Sequence, residues 1–114
     1  MARYRGLTLR VMGKRRPAMG PGKAELVERI AETGSISAAA RAMRMSYRRA
    51  WQLVEALNKD YRERVVATAA GGARGGGARV TPFGRRLVAQ YRAMEEKASA
   101  AIASELRRFE RYIP

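Results

Sequence analysis

From Pro82 onward, Phe83, Leu87, Tyr91, Met94, Ala98, Ile102, Leu106, Phe109 and Ile113 follow one another at intervals of three or four. That spacing puts them on one face of an α-helix, an apolar stripe over about 30 residues or roughly 45 Å of helix. A chain of 114 residues has no other segment long enough to cover it. The expectation is that part of the stripe lies on the chain's own domain and the rest on the same helix of a second chain, in a two-fold dimer. Phe83, Leu87, Tyr91, Met94, Ala98, Ile102 and Leu106 are the candidate dimer residues. The alternative is a break near Ala100 that turns the helix back onto its own domain. Pro82 suits a first helical turn and Thr81 its cap. The sequence therefore divides into a domain over residues 1–81 and a long helix over 82–114.

The composition narrows what such a domain can do. Lys and Arg number 24 against 10 Asp and Glu, a formal charge of +14. Arg and Ala are both abundant, so part of this charge is compositional bias, but a small domain this basic most often sits on a polyanion. There is no cysteine and no histidine. Disulfides, thiolate nucleophiles, imidazole bases and the usual zinc ligand sets are thereby excluded. Asp and Glu are scattered, with no pair placed like an acid and a base. An enzyme is not expected, and no cofactor or metal is implied. No apolar run approaches the roughly 18 residues that cross a bilayer, and the start MARYRGLTLRVMGKRRP lacks the apolar middle of a signal peptide. The expected place is the cytoplasm, with no membrane partner.

Leu7-Thr8-Leu9-Arg10-Val11 alternates apolar and polar residues, as a short half-buried strand does. Lys14, Arg15 and Arg16 make either a flexible arm or a solubilising turn, and Met19-Gly20-Pro21-Gly22 is turn chemistry. From Lys23 to Thr33, Leu26, Val27, Ile30 and Ala31 recur at helical spacing with Glu25, Glu28 and Glu32 off the stripe. Gly34 closes this helix, and Ser35 or Ser37 caps a short second one whose buried side is Ile36, Ala39, Ala40 and Met43. Arg44-Met45 makes a turn, and Ser46 caps a third helix carrying Tyr47, Ala50, Trp51, Val54 and Leu57. Two helices joined by a tight turn, the second basic at its start, form a helix-turn-helix whose second helix enters the DNA major groove.

After Asn58-Lys59-Asp60, Val65-Val66-Ala67-Thr68 has the β-branched content of a strand. Gly71-Gly72-Ala73-Arg74-Gly75-Gly76-Gly77-Ala78-Arg79 then leads to Val80-Thr81, which makes a β-hairpin wing with arginines in its loop. A phosphate-cradling enzyme loop would need Gly-Lys-Ser or Gly-Lys-Thr at fixed spacing before a helix, and neither is present. A disordered glycine linker stays open as the plainer alternative. The fold class is thus mainly α with a small β wing, a winged helix-turn-helix plus a long C-terminal dimerisation helix.

On the third helix, Ala50, Val54 and Leu57 face the core, which turns Ser46, Tyr47, Arg48, Arg49 and Gln52 wholly or partly outward. Arg reads guanine O6 and N7, Gln pairs with adenine, and Ser46 can bond a phosphate. Arg48, Arg49 and Gln52 are the candidate base readers. Trp51 either packs or touches DNA, and Tyr47 either stacks on the DNA backbone or plugs the core. Ser35 and Ser37 open the second helix, where free N–H groups attract phosphate, although capping alone also accounts for them. Arg74 and Arg79 would meet phosphates or the minor groove. Arg85, Arg86 and Arg92 read as a solvated face.

Gly34-Ser35-Ile36-Ser37 with Ala39-Ala40, then Ser46-Tyr47, Ala50-Trp51 and Asn58, then the Gly71-Gly72 to Gly77 wing with Thr81 and Gly84-Arg85-Arg86-Leu87, resemble the N-terminal DNA-binding domain of the ModE-type molybdate-responsive transcriptional regulators. The helix-turn-helix alone is shared with LysR-type regulators. The resemblance implies a winged helix-turn-helix, dimerised through long helices, acting at inverted-repeat operators of molybdenum or tungsten transport or molybdoenzyme genes. In full-length members of that family a C-terminal part binds molybdate or tungstate. This sequence ends at Pro114, where that part would begin, so the expectation is a DNA-binding part without the sensor. It then senses nothing, relies on a separate oxyanion-sensing protein, or holds an effector elsewhere in the dimer. The rival functions are a nucleoid-associated or architectural DNA-binding protein and an adaptor whose helix-turn-helix binds protein or RNA.

Overall fold

The computed structural model describes residues 6–69 and 77–114. The chain opens with a small antiparallel hairpin, β1 (Val11–Met12) and β2 (Pro17–Met19), in which Val11 lies opposite Met19 and Met12 opposite Pro17. The Gly13 N–H donates to the Arg16 carbonyl at 2.9 Å and closes its loop. The strand expected over Leu7–Val11 is thus displaced toward Met12. Leu9 is partly buried against the core, and its carbonyl accepts the Tyr91 hydroxyl at 2.7 Å, so residues 7–10 run along the domain and, among the described residues, belong to neither sheet.

Helix α1 (Pro21–Thr33) starts two residues earlier than the apolar pattern indicates, because Pro21 is preset for the first helical turn and needs no N–H there. Gly34 ends it at φ 69°, where a side chain would be strained, and donates its N–H to the Ile30 carbonyl at 2.8 Å. The hydroxyl of Ser35 accepts the Ala38 N–H at 3.0 Å and opens α2 (Ile36–Ala42). The turn that follows has Arg44 at φ 56°. Arg44 N–H donates to the Arg41 carbonyl and Met45 N–H to the Ala40 carbonyl, at 3.1 and 3.0 Å, which closes the helix end in the pattern a left-handed residue makes possible. Ser46 then accepts the Arg49 N–H at 3.0 Å and starts α3 (Tyr47–Asp60).

Leu26, Val27 and Ile30 of α1, Ile36, Ala39, Ala40 and Met43 of α2, and Ala50, Val54 and Leu57 of α3 meet in one core. Ala39 and Ala50 have no exposed surface, and their lack of bulk lets the helix backbones approach closely. Asn58 joins this bundle to the sheet. Its Oδ1 accepts the N–H groups of Val65 and Val66, at 2.8 and 3.1 Å, and its Nδ2 donates to the Val66 carbonyl at 3.0 Å. Strands β3 (Val66–Thr68) and β4 (Ala78–Val80) pair antiparallel, Val66 with Val80 and Thr68 with Ala78. The expected loop residues Gly71 to Gly76, Arg74 among them, lie outside the described residues.

Thr81 caps α4 (Pro82–Ala101), accepting the Gly84 N–H at 3.0 Å and donating to the Arg64 carbonyl at 2.6 Å. The C-terminal stripe departs from the expectation in two ways. It is not one continuous helix, since Ile102 (φ −111°, ψ 14°) separates α4 from α5 (Ala103–Glu110), and α5 buries none of its residues. Tyr91 is also withdrawn from the candidate dimer residues. It is 1% exposed within the core, beside buried Val88 and partly buried Phe83 and Leu87. Met94 (45%) and Phe109 (63%) are exposed, whereas Ala98, Ile102 and Leu106 are half-buried. Among the described residues no helix is long and apolar enough to cross a membrane.

Candidate nucleic-acid interface

The orientation of α3 follows from its three buried anchors. With Ala50, Val54 and Leu57 in the core, Ser46, Tyr47, Arg48, Arg49 and Gln52 are all exposed. Tyr47, at 56%, does not plug the core. Trp51 is 37% exposed and stands at the edge of a shallow groove of ≈ 330 Å³. Ser35 and Ser37 of the α2 start line this groove, together with Tyr47 and with Thr68 and Gly77 of the wing base. The elements that hold these residues together are tied by backbone, since the Ala78 N–H donates to the Gly34 carbonyl at 3.0 Å. The α2 start, one face of α3 and the β3–β4 pair thus share a single surface.

Two serines singled out by sequence have specific partners. Ser35 is occupied as a helix cap, and the Ser37 hydroxyl accepts from Arg41 Nη1 at 3.0 Å. That contact brings a guanidinium to the α2 start, where anions are favoured by the helix dipole. Arg41 was not among the expected site residues, although its place four positions after Ser37 was a legible signal. Arg79, on β4, is exposed at the wing.

The opposite flank of α3 carries a larger groove, of ≈ 700 Å³, which the sequence did not reveal. Its cations are Arg10, Arg16, Lys23 and Arg49, with Gln52, Met43, Met45 and Leu53 also lining it. Arg16 makes a two-pronged pair with Asp60, Nε to Oδ2 and Nη2 to Oδ1, each at 2.9 Å. This hydrogen bonding lowers the Asp60 pKa and raises that of Arg16. Lys23 donates to the Pro17 carbonyl at 2.6 Å. Its pKa is lowered, first by partial burial and then by the charges of Arg16 and Arg49, against a raising effect of Asp60. Clustered cations at this density favour an anion beside them.

Arg92 belongs to neither flank. It bonds Glu28 through Nε and Nη2, at 3.1 and 2.7 Å, and Glu95 through Nη1 at 2.7 Å, bracing α4 against α1. These carboxylates raise its pKa, the Glu28 hydrogen bonds most.

A family model described as a bacterial regulatory helix-turn-helix protein of the lysR family matches residues 22–85, from α1 to the first turn of α4. The chain belongs to that family. The chain is 44% identical over 107 residues to the molybdenum-pterin-binding protein MopB of Rhodobacter capsulatus, covering 94% of this chain and 37% of MopB. It is 39% identical over 85 residues to the molybdenum transport protein ModE of Azotobacter vinelandii, covering 75% and 32%. Against the DNA-binding transcriptional dual regulator ModE of Escherichia coli K12 the figures are 38% over 71 residues, 62% and 27%. The chain therefore spans about a third of the length of these relatives. Among solved structures, the full-length LTTR LysG of Corynebacterium glutamicum with bound effector Arg matches with TM-score 0.56 at 25% identity, covering 82% of this chain and 30% of LysG. ArgP of Mycobacterium tuberculosis matches with TM-score 0.51 at 27% identity, covering 75% and 31%.

Proposed function

We propose that this chain is the DNA-binding part of a ModE-type transcriptional regulator, which reads an inverted-repeat operator as a homodimer and controls genes of molybdenum transport or molybdoenzymes. The observation that carries the reading is the outward start of α3. Arg48, Arg49 and Gln52 stand exposed on a helix whose opposite side is locked by Ala50, Val54 and Leu57, in a chain similar to one ModE named as a molybdenum transport protein and another named as a DNA-binding transcriptional dual regulator. Arg48, Arg49 and Gln52 read base edges in the major groove, and Ser46, Tyr47, Ser35 and Ser37 position the backbone. Arg79 and Arg74 of the wing meet phosphates. The exposed or half-buried apolar residues Met94, Ala98, Ile102 and Leu106 form the seam between the two copies.

Selection of bound duplexes from a random-sequence pool, followed by hydroxyl-radical footprinting, tests the proposal. An enriched inverted repeat with half-sites about one helical turn apart is expected, because two-fold symmetry in the protein imposes it. Arg48→Ala should weaken the selected site by about 1 to 3 kcal/mol and relax choice at one base pair. A pool that stays random after selection would overturn the regulator and favour an architectural DNA-binding protein.

A further inference from the structure

The β1–β2 hairpin is the element that a helix-turn-helix and one wing leave without a task. It stands on the flank of α3 away from β3–β4. The groove on its side is lined by Arg10, Arg16, Arg49 and Gln52, whereas the groove toward β3–β4 is lined by Tyr47, Trp51 and Thr68. Its position is fixed. Arg16 is clamped to Asp60 at the end of α3, the Tyr61 hydroxyl donates to the Ala18 carbonyl at 2.8 Å, and Ala18 and Met19 are buried. At its loop Lys14 and Arg15 are exposed, and among the described residues neither has an ion-pair partner. Arg10, also exposed, forms the hairpin side of the groove.

A helix seated in the major groove, about 12 Å wide, has a phosphate backbone on either side of it. With β3–β4 toward one backbone, the hairpin faces the other, and a ribbon already fixed to α3 loses little freedom on meeting it. We infer that the β1–β2 hairpin is a second wing, whose Arg10, Lys14 and Arg15 hold phosphates of the strand opposite the one met by β3–β4. The inference rests on the DNA-binding reading proposed above. It adds a sequence-independent grip to both sides of the reading helix.

The test uses the whole chain with the selected duplex and a random duplex of equal length, measured across a salt series. Each phosphate contact contributes about 0.9 to the slope of log K against log salt. The homodimer carries both residues twice, so Lys14→Gln/Arg15→Gln should lower that slope by about three to four units on both duplexes, leave their affinity ratio unchanged, and erase phosphate-ethylation interference on one strand of each half-site. Arg107→Gln/Arg108→Gln on α5 removes the same charge elsewhere and should leave the slope near wild type. A hairpin variant matching wild type, or a control falling equally far, overturns the second wing alone. If wild type does not distinguish the duplexes yet the hairpin variant loses slope, the second wing stands and sequence-specific reading falls. If wild type binds neither duplex, both fall.

Discussion

At Arg44 the backbone adopts a conformation that suits glycine, φ 56° in the turn between α2 and α3. A side chain in the left-handed region costs about 1 to 2 kcal/mol, offset in the glycine variant by greater freedom of the unfolded chain. Arg44→Gly should therefore stabilise the domain by roughly 0.5 to 1 kcal/mol in urea unfolding, and a loss of stability would show that the arginine is held by contacts that outweigh the strain. Asp60 supplies a pH-dependent term. Arg16 holds its carboxyl below the ordinary value of 3.8, so the pair stabilises the fold above that value and its contribution is lost as pH falls through the lowered one. The Tm gap between wild type and Asp60→Asn should be full at neutral pH and close below pH 3.8; a gap that persists in strong acid would place the effect outside the ion pair. Caps at this scale were legible, since Ser35, Ser46 and Thr81 each act within three residues of themselves. Asn58 and Asp60 were not, because their partners are strand backbone and a hairpin arginine brought near only by folding.

Between elements, the joint of α4 with the sheet depends on one missing side chain. A Cβ at Gly84 would collide with the Val65 carbonyl oxygen and stand 2.9 Å from Val80 Cγ1 and 3.1 Å from Val65 Cγ1. Since two of these neighbours are β-branched side chains in the core and one is backbone, none yields easily. Gly84→Ala should cost about 2 to 3 kcal/mol in thermal unfolding, as overpacking of a core does, and should weaken DNA binding because β3–β4 moves with the joint. Unchanged stability would mean that α4 slides freely on the sheet. The third helix was readable because its apolar residues, four and then three apart, repeat on the helical period and lie inside one element. The β1–β2 hairpin was not. Its four-residue loop Gly13–Arg16 lacks the Asn-Gly or Asp-Gly signature of a tight hairpin, and its strands are two and three residues long. The wing was foreseen from the β-branched run before the glycines, which β3 occupies, whereas its returning strand, read at Val80-Thr81, is Ala78–Val80.

Across the whole molecule, the unresolved question of the sequence was what covers the C-terminal stripe, and periodicity alone does not say which neighbour that is. The domain takes the first turns, with Gly84, Val88 and Tyr91 buried and the Tyr91 hydroxyl tied to Leu9. Beyond Tyr91 the same stripe surfaces. Met94, Phe109 and Ile113 are 45%, 63% and 61% exposed, and α5 contributes nothing to the core. Apolar side chains left in water at that spacing favour a second copy, as each buried one contributes about 1.5 to 3 kcal/mol. Half-buried Ile102 and exposed Met94 are the positions where a charge would oppose this contact without touching the buried core residues. Met94→Glu/Ile102→Glu should therefore sediment as a monomer at concentrations where wild type is a dimer, with helix content kept. Because two half-sites are then no longer linked, operator affinity should fall by tenfold or more, on the order of 1.4 kcal/mol per decade, while binding to a single half-site stays unchanged. A double variant that remains dimeric would put the seam elsewhere on the molecule, and a monomer that still binds the full operator like wild type would separate dimerisation from DNA recognition.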